Sequence, residues 1–154
     1  MRSDFRDANV YGPRQSPLGE AGVVVIFAHR LLQGQPLVIN GDGLQTRDYV
    51  YVEDIAEANI AALERPDVAG VVILGTGVEI SVTELFHQLA AVMGVIGEAG
   101  HGPPKHGEQR RSVLDIGRAR RLLDWAPCVT LADGLRRTVE HLSQDGQVRI
   151  SQPR

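Results

Sequence analysis

Cysteine is nearly absent: Cys128 stands alone among 154 residues. An internal disulfide is therefore excluded, and the usage fits a reducing compartment. A strong charge imbalance is missing as well. The net charge is −3, which gives no reason to expect nucleic acid or an anionic membrane as partner. No apolar run is long enough to span a bilayer. The first ten residues, MRSDFRDANV, lack the apolar core of a signal peptide. Low-complexity segments and internal repeats are missing too. What is present, 43% hydrophobic and 23% charged residues, is the composition of a soluble globular protein of one domain, expected in the cytoplasm.

Several chemical signatures are also missing. No Gly-x-Gly-x-x-Gly follows a strand; Gly75-Thr76-Gly77 lacks the third glycine, so dinucleotide binding is not expected at that turn. There is no Walker A lysine motif. There is no Tyr-x-x-x-Lys: Tyr11, Tyr49 and Tyr51 are followed four places on by Gln15, Glu53 and Ile55. The five histidines show no His-x-x-x-His spacing, which argues against a zinc site. His101 and His106, in a glycine loop, are expected to face solvent. Cys128, beside Trp125 and Pro127, reads as a packing residue.

The elements that can be read alternate between strand and helix, which argues for α/β. Phe5 to Val10 is a possible short strand. Val23, Ile26, Phe27 and Leu31 recur at helical spacing, and Gly34 with Pro36 stops that helix. Leu37 to Ile39 is a small strand. Ile55 to Glu64 is an alanine-rich helix with Asp54 as its expected N-cap. Val71 to Leu74 is continuously apolar, as a strand buried on both faces should be. Ser81-Val82-Thr83-Glu84 has the pattern of a capping box for a helix ending near Met93. Ser112 to Asp115 reads as a strand, and Asp115 as the cap of a basic helix, Ile116 to Leu123. Thr130 caps a last helix from Leu131 to Leu142. A polar tail, 143–154, follows the body of the domain, 1–142. With one strongly hydrophobic strand only, the chain reads as a piece of something larger.

The centre of the chain is GDGLQTRDYVYVEDIAEA, Gly41 to Ala58. An arginine held between a tight turn and a buried strand can meet phosphate oxygens with two parallel hydrogen bonds. Alternatively Arg47 is a surface arginine paired with Asp48 or Glu53. Spacing by itself leaves both readings open.

Other motifs join this one. They are Ala8-Asn9-Val10-Tyr11-Gly12-Pro13-Arg14-Gln15, the Gly75-Thr76-Gly77 turn with its capping box, GEQRRSVLDIGRAR, and Asp124-Trp125-Ala126-Pro127. Together and in this order they resemble the NAD-dependent epimerase/dehydratase family, the extended short-chain dehydrogenase/reductases. The likeness covers about residues 5 to 142 and is nearest to the UDP-glucose 4-epimerases. It implies the C-terminal part of a Rossmann-type fold, a parallel-sheet remnant plus a small substrate-binding lobe.

The resemblance also implies a nucleotide-sugar site for a UDP-sugar. Asn9 and Arg47 match residues at the substrate's diphosphate. Lys105, ahead of Gly107-Glu108, matches a second basic residue, keeping its charge but not its fork. Val24 matches a position beside the nucleotide. Asn40 stands where an aromatic usually covers the base. Val72-Ile73-Leu74-Gly75 replaces the family's Tyr-Asn-Ile-Gly, and Asp7 replaces a tyrosine. The family's coenzyme half, with its glycine-rich loop and Tyr-x-x-x-Lys, would precede residue 1. The complete family enzyme uses NAD; this chain alone is expected neither to bind it nor to catalyse. The alternatives are a non-catalytic nucleotide-sugar binding or interaction module, and part of an NAD-dependent dehydratase or decarboxylase. A missing coenzyme-binding half and self-association are the implied protein partners.

Overall fold

A computed structural model of the chain describes residues 3–18 and 22–144. The order begins with strands β1 (Ser3–Asp7) and β2 (Asn9–Tyr11), helix α1 (Val23–Leu32), and strands β3 (Val38–Asn40), β4 (Thr46–Arg47) and β5 (Tyr49–Tyr51). Helix α2 (Val52–Leu63), strands β6 (Gly70–Leu74) and β7 (Ile80–Ser81), and helix α3 (Val82–Met93) follow. Strand β8 (Gly100–Gly102) and helices α4 (Gly117–Leu123) and α5 (Leu131–Gln144) complete it. Among the described residues the strands pair two by two: β1 with β6, β2 with β5 and β3 with β8 in parallel, β4 with β7 antiparallel. The protein is thus α/β, with parallel strand pairs. No helix among the described residues is long and apolar enough to cross a membrane.

Two apolar clusters organise these pieces. One joins α1, α3 and α5 through Val24, Phe27, Leu85, Phe86, Leu89 and Leu135, with Tyr11 and Tyr51 packed edge to face at 5.6 Å. The other lies under β6, where Val72 and Leu74 meet Ala58 of α2, Ala119 and Leu123 of α4, and Trp125. Phe5 sits opposite Val72 in the β1–β6 register and packs on the same cluster. The other face of this strand pair carries Val71, which is 43% exposed. Strand β6 is therefore covered on one face, not on both.

Four further expectations need correction. Phe5 to Val10 is not one strand: the chain breaks at Ala8, and β2 leaves β1 to pair with β5. Ser112 to Asp115 is not a strand. Its Leu114 N–H points to the Asp48 carboxylate at 3.4 Å, and the partner of β3 is β8. Asp54 does not cap α2, which starts two residues earlier and has no side-chain cap. The residue is 4% exposed, and its carboxylate accepts the N–H groups of Cys128, at 2.8 Å, and Val129, at 3.1 Å. An acceptor-only carboxylate in a first helical turn finds those two free donors in the chain leading to α5. The Asp54 carbonyl also takes the buried Trp125 indole N–H at 2.8 Å. Cys128 is exposed, not packed.

Ser81 and Thr130 cap their helices where the sequence places them, whereas α4 starts one residue later than expected, with Ile116 and not Asp115 at its N-cap. Ser81 accepts the Glu84 N–H at 3.1 Å, and Thr130 accepts that of Asp133 at 3.2 Å. Asp115 accepts the N–H of Gly117, the first residue of α4. Helix α5 continues through Gln144; the rest of the expected polar tail lies outside the described residues.

Candidate functional site

Asp48 holds the centre of the molecule and is 1% exposed. Its Oδ1 accepts from Thr76 twice, from the backbone N–H at 2.9 Å and the hydroxyl at 2.6 Å. Its Oδ2 accepts the Gly77 N–H at 2.9 Å. On the other side its carbonyl accepts both the backbone N–H of Asn9, at 2.9 Å, and the Asn9 side-chain amide, at 3.2 Å. One residue thus ties β2, the β4–β5 segment and the Gly75–Gly77 turn together. A side chain at Gly75 would meet Asp48 Oδ2 at 2.8 Å, so glycine permits the approach. The turn's two N–H groups are spent on Asp48. They do not form the helix-terminal cradle that a dinucleotide pyrophosphate needs, so this turn does not fit NAD.

Strand alternation then sends Arg47 and Tyr49, on either side of Asp48, in the same direction. Arg47 Nη1 donates to the carbonyls of Thr46 and Gln109, both at 2.7 Å. Its Nη2 lies 3.5 Å from Glu108. The alternative pairings of Arg47 do not occur. Asp48 is engaged as described, and Glu53 pairs with Arg137 at 2.9 Å. The glycine turn before this segment places Gly41 and Gly43 at φ of +67° and +74°, left-handed backbone that suits glycine. Between them Asp42 accepts Arg110 through both guanidinium ends, at 2.8 and 3.1 Å.

These elements enclose a cleft of about 740 Å³. One face of α1 forms a wall with Val23, Ile26, Phe27 and Arg30, while Asn9, Asn40, Arg47, Tyr49, Lys105 and Glu108 line the rest. Asn9, Asn40, Arg47 and Lys105, far apart in sequence, therefore share one cavity. Val24 is buried at 1% exposure and lines an adjoining smaller cavity with Asn9, Tyr11 and Tyr49. Lys105 is the chain's only lysine. His101 is exposed, with Nδ1 2.7 Å from the Gly41 carbonyl.

Tyr49 and Glu108 are the residues that motif reading passed over. The Tyr49 hydroxyl is buried and has no hydrogen-bond partner among the described residues. Burial pushes its pKa up to about 12, with Arg47 pulling it down and Glu108 adding to the rise, so it remains a protonated donor at neutral pH. A buried hydroxyl without a partner costs about 1–3 kcal/mol, which marks a place where a ligand atom would be stabilising. The signal in the sequence is the two-residue step from Arg47.

The fold has counterparts among known proteins. The NAD dependent epimerase/dehydratase family model matches residues 5–75. Over those residues the chain resembles this family, and it matches the C-terminal part of the family's Rossmann-type structures. It is 46% identical over 145 residues to the UDP-glucose 4-epimerase of Mycolicibacterium smegmatis, covering 94% of this chain and 46% of that protein. The crystal structure of Thermotoga maritima UDP-glucose 4-epimerase with UDP-glucose superposes with a TM-score of 0.89 at 45% identity, over 94% of this chain and 47% of that one. The Thermus thermophilus UDP-glucose 4-epimerase complex with NAD gives 0.83 at 40% identity, over 92% and 46%. The chain spans about half the length of these relatives.

Proposed function

We propose that this chain is the nucleotide-sugar-binding part of an NAD-dependent sugar-nucleotide epimerase of the UDP-glucose 4-epimerase kind. One observation carries the reading: Arg47, Lys105, Asn9 and the partnerless Tyr49 hydroxyl face one cleft. Two cations and two neutral donors match the charge and oxygen count of a diphosphate. Arg47 is held by two carbonyls, and among the described residues its outer nitrogen is answered only by the partly exposed Glu108. An incoming diphosphate replaces Glu108 there. Asn9 keeps a second amide N–H, because Asp48 takes only one.

The relatives with UDP-glucose and with NAD in their structures support a UDP-sugar as ligand and NAD as the hydride carrier of the whole enzyme. Transient oxidation of a sugar hydroxyl needs that carrier and a base within hydrogen-bond reach. Neither a glycine-rich dinucleotide loop nor Tyr-x-x-x-Lys occurs in these 154 residues. In this reading a coenzyme-binding half, on the same polypeptide or another, supplies both and covers the apolar face around Val71. The chain's own part is to bind and orient the substrate.

Calorimetric titration of the chain with UDP-glucose tests the proposal. Binding is expected to weaken about tenfold or more in Arg47→Ala, as loss of a charged hydrogen-bond donor does. Tyr49→Phe should weaken it by a smaller factor. Unchanged affinity in both variants would remove the cleft as the diphosphate site. In a complete enzyme Arg47→Ala should chiefly raise KM, since this binding is common to ground and transition states.

A further inference from the structure

The connection after β8 is fastened at both ends but not in the middle. At its start the Gly102 carbonyl accepts the Gly41 N–H at 3.0 Å. At its far end the Gln109 carbonyl takes Arg47 Nη1 at 2.7 Å, the Arg110 carbonyl takes the Thr46 N–H at 2.9 Å, and the Arg110 side chain holds Asp42. Between these anchors, over 103–108, the described residues make two polar contacts. The Glu108 N–H donates to the Lys105 carbonyl at 3.2 Å, which closes a turn, and the Glu108 carboxylate lies 3.5 Å from Arg47. Lys105 and Glu108 line the cleft, and both also line a second cavity of about 390 Å³ bordered by Asp42 and Arg110. The turn therefore stands between two open spaces, with room on either side. Lys105 is exposed, and its ammonium has no hydrogen bond or ion pair among the described residues.

We propose that the 105–108 turn is an anion-operated latch: Glu108 masks Arg47 in the free chain, and a diphosphate drives it off and draws Lys105 over the ligand in its place. This rests on the nucleotide-sugar reading above. The masking contact is loose, since a charge-assisted hydrogen bond closes to about 2.7–2.9 Å. A partly exposed ion pair also contributes little, so phosphate oxygens at bonding distance displace it. Arg47 stays in place during the exchange, because the Thr46 and Gln109 carbonyls pin its Nη1. The 103–108 segment moves instead. Glu108 has another cation to turn to, because Arg110 lines the second cavity and already feels its charge. As the carboxylate leaves the cleft, Lys105 on the same turn brings in the opposite charge. One short movement thus removes a repulsive group from the ligand and adds an attractive one. Such a change is the kind that a ligand with different affinity for the two arrangements can drive.

The test titrates wild type and Glu108→Gln with inorganic pyrophosphate and follows amide-nitrogen NMR relaxation of the turn. Glu108→Gln should bind about two- to fivefold more tightly, the size expected for releasing a partly exposed ion pair. Its turn amides should also be more mobile than those of wild type before ligand is added. With saturating pyrophosphate the two proteins should give coincident His106 and Gly107 amide shifts, because position 108 is off Arg47 in both. Lys105→Gln should weaken binding and remove the ordering of the turn that the ligand brings. Equal or weaker affinity in Glu108→Gln would make Glu108 inert or a ligand contact and overturn the latch, leaving the function proposal intact. Tighter binding with unmoved relaxation would do the same, since charge alone then accounts for the gain. Wild-type chain that binds neither pyrophosphate nor UDP-glucose would overturn both.

Discussion

At the scale of single residues, the site depends on one carboxylate that is not part of the cleft lining. Asp48 takes three donors from the Gly75–Gly77 turn and holds Asn9 through its backbone carbonyl. Asp48→Asn removes charge from a buried acceptor and forces an amide N–H against existing donors. A loss of about 1–3 kcal/mol in urea unfolding is expected. Lys105 offers a separate probe because it is the only lysine. Reductive methylation with isotopic formaldehyde would give one lysine dimethyl resonance besides that of the amino terminus. Its shift on adding pyrophosphate is expected to vanish in Arg47→Ala; an unmoved signal in wild type would separate Lys105 from the anion. Acid dependence belongs to exposed pairs. The Arg110 hydrogen bond holds Asp42 down to about 2, and Arg111 with Thr46 holds Glu79 down to about 2. Both groups are depressed on folding, so their contribution is present above the unfolded carboxylate range, about 4. It fades as pH falls from there towards 2. The urea midpoint should drop across that window, and less steeply in Glu79→Gln.

At the scale of elements, α5 shows how a local preference loses to packing. Gly134 lies inside this helix, where alanine would normally be more stable by about 1 kcal/mol. A Cβ there would overlap the Tyr11 hydroxyl, however, which reaches the Leu131 carbonyl at 3.4 Å. Because Tyr11 is fixed against Tyr51, overpacking should prevail, and Gly134→Ala is expected to lower stability by about 1–3 kcal/mol. Thermal unfolding of Gly134→Ala with and without Tyr11→Phe checks the cause, since removing the hydroxyl should recover part of the loss. The same contest explains what the sequence discloses. Helices α1, α3 and α5 were legible because apolar periodicity and caps agree with the packing. Strand β8 was not, because Gly100-His101-Gly102 has no strand preference and is extended only through pairing with β3. Val113 and Leu114 look like strand residues, yet the Leu114 N–H goes to a side chain instead of a ladder. In the cleft, Arg47 and Lys105 were legible through motifs. Tyr49 was not, since an orphan hydroxyl shows itself only when burial and partners are known.

At the scale of the whole molecule, one side is finished and the other is open. The α1–α3–α5 cluster closes on itself, while the β1–β6 pair buries one face only. On α2 the outward residues include Val52 at 39% exposure, Ile60 at 49% and Leu63 at 83%. Positions 52, 56, 60 and 63 fall along one stripe at helical spacing. Among the described residues β1 is paired on one edge only, which leaves backbone donors and acceptors available to another strand. An open edge beside exposed apolar side chains favours association. Sedimentation velocity of the 154-residue chain is expected to show mass rising with concentration, and Leu63→Glu with Val71→Lys to reduce it; a monomer at every concentration would contradict this. The same openness bears on catalysis. Purified chain given NAD and UDP-galactose is expected to form no UDP-glucose, because its sequence has neither a glycine-rich dinucleotide loop nor Tyr-x-x-x-Lys to place a hydride carrier and a base beside the sugar. Adding a coenzyme-binding half from a relative should suppress self-association first and restore turnover second, since both need the same face. Turnover by the chain alone, surviving removal of host epimerase and abolished by Arg47→Ala, would show that these 154 residues hold a base and a coenzyme site that their motifs do not reveal.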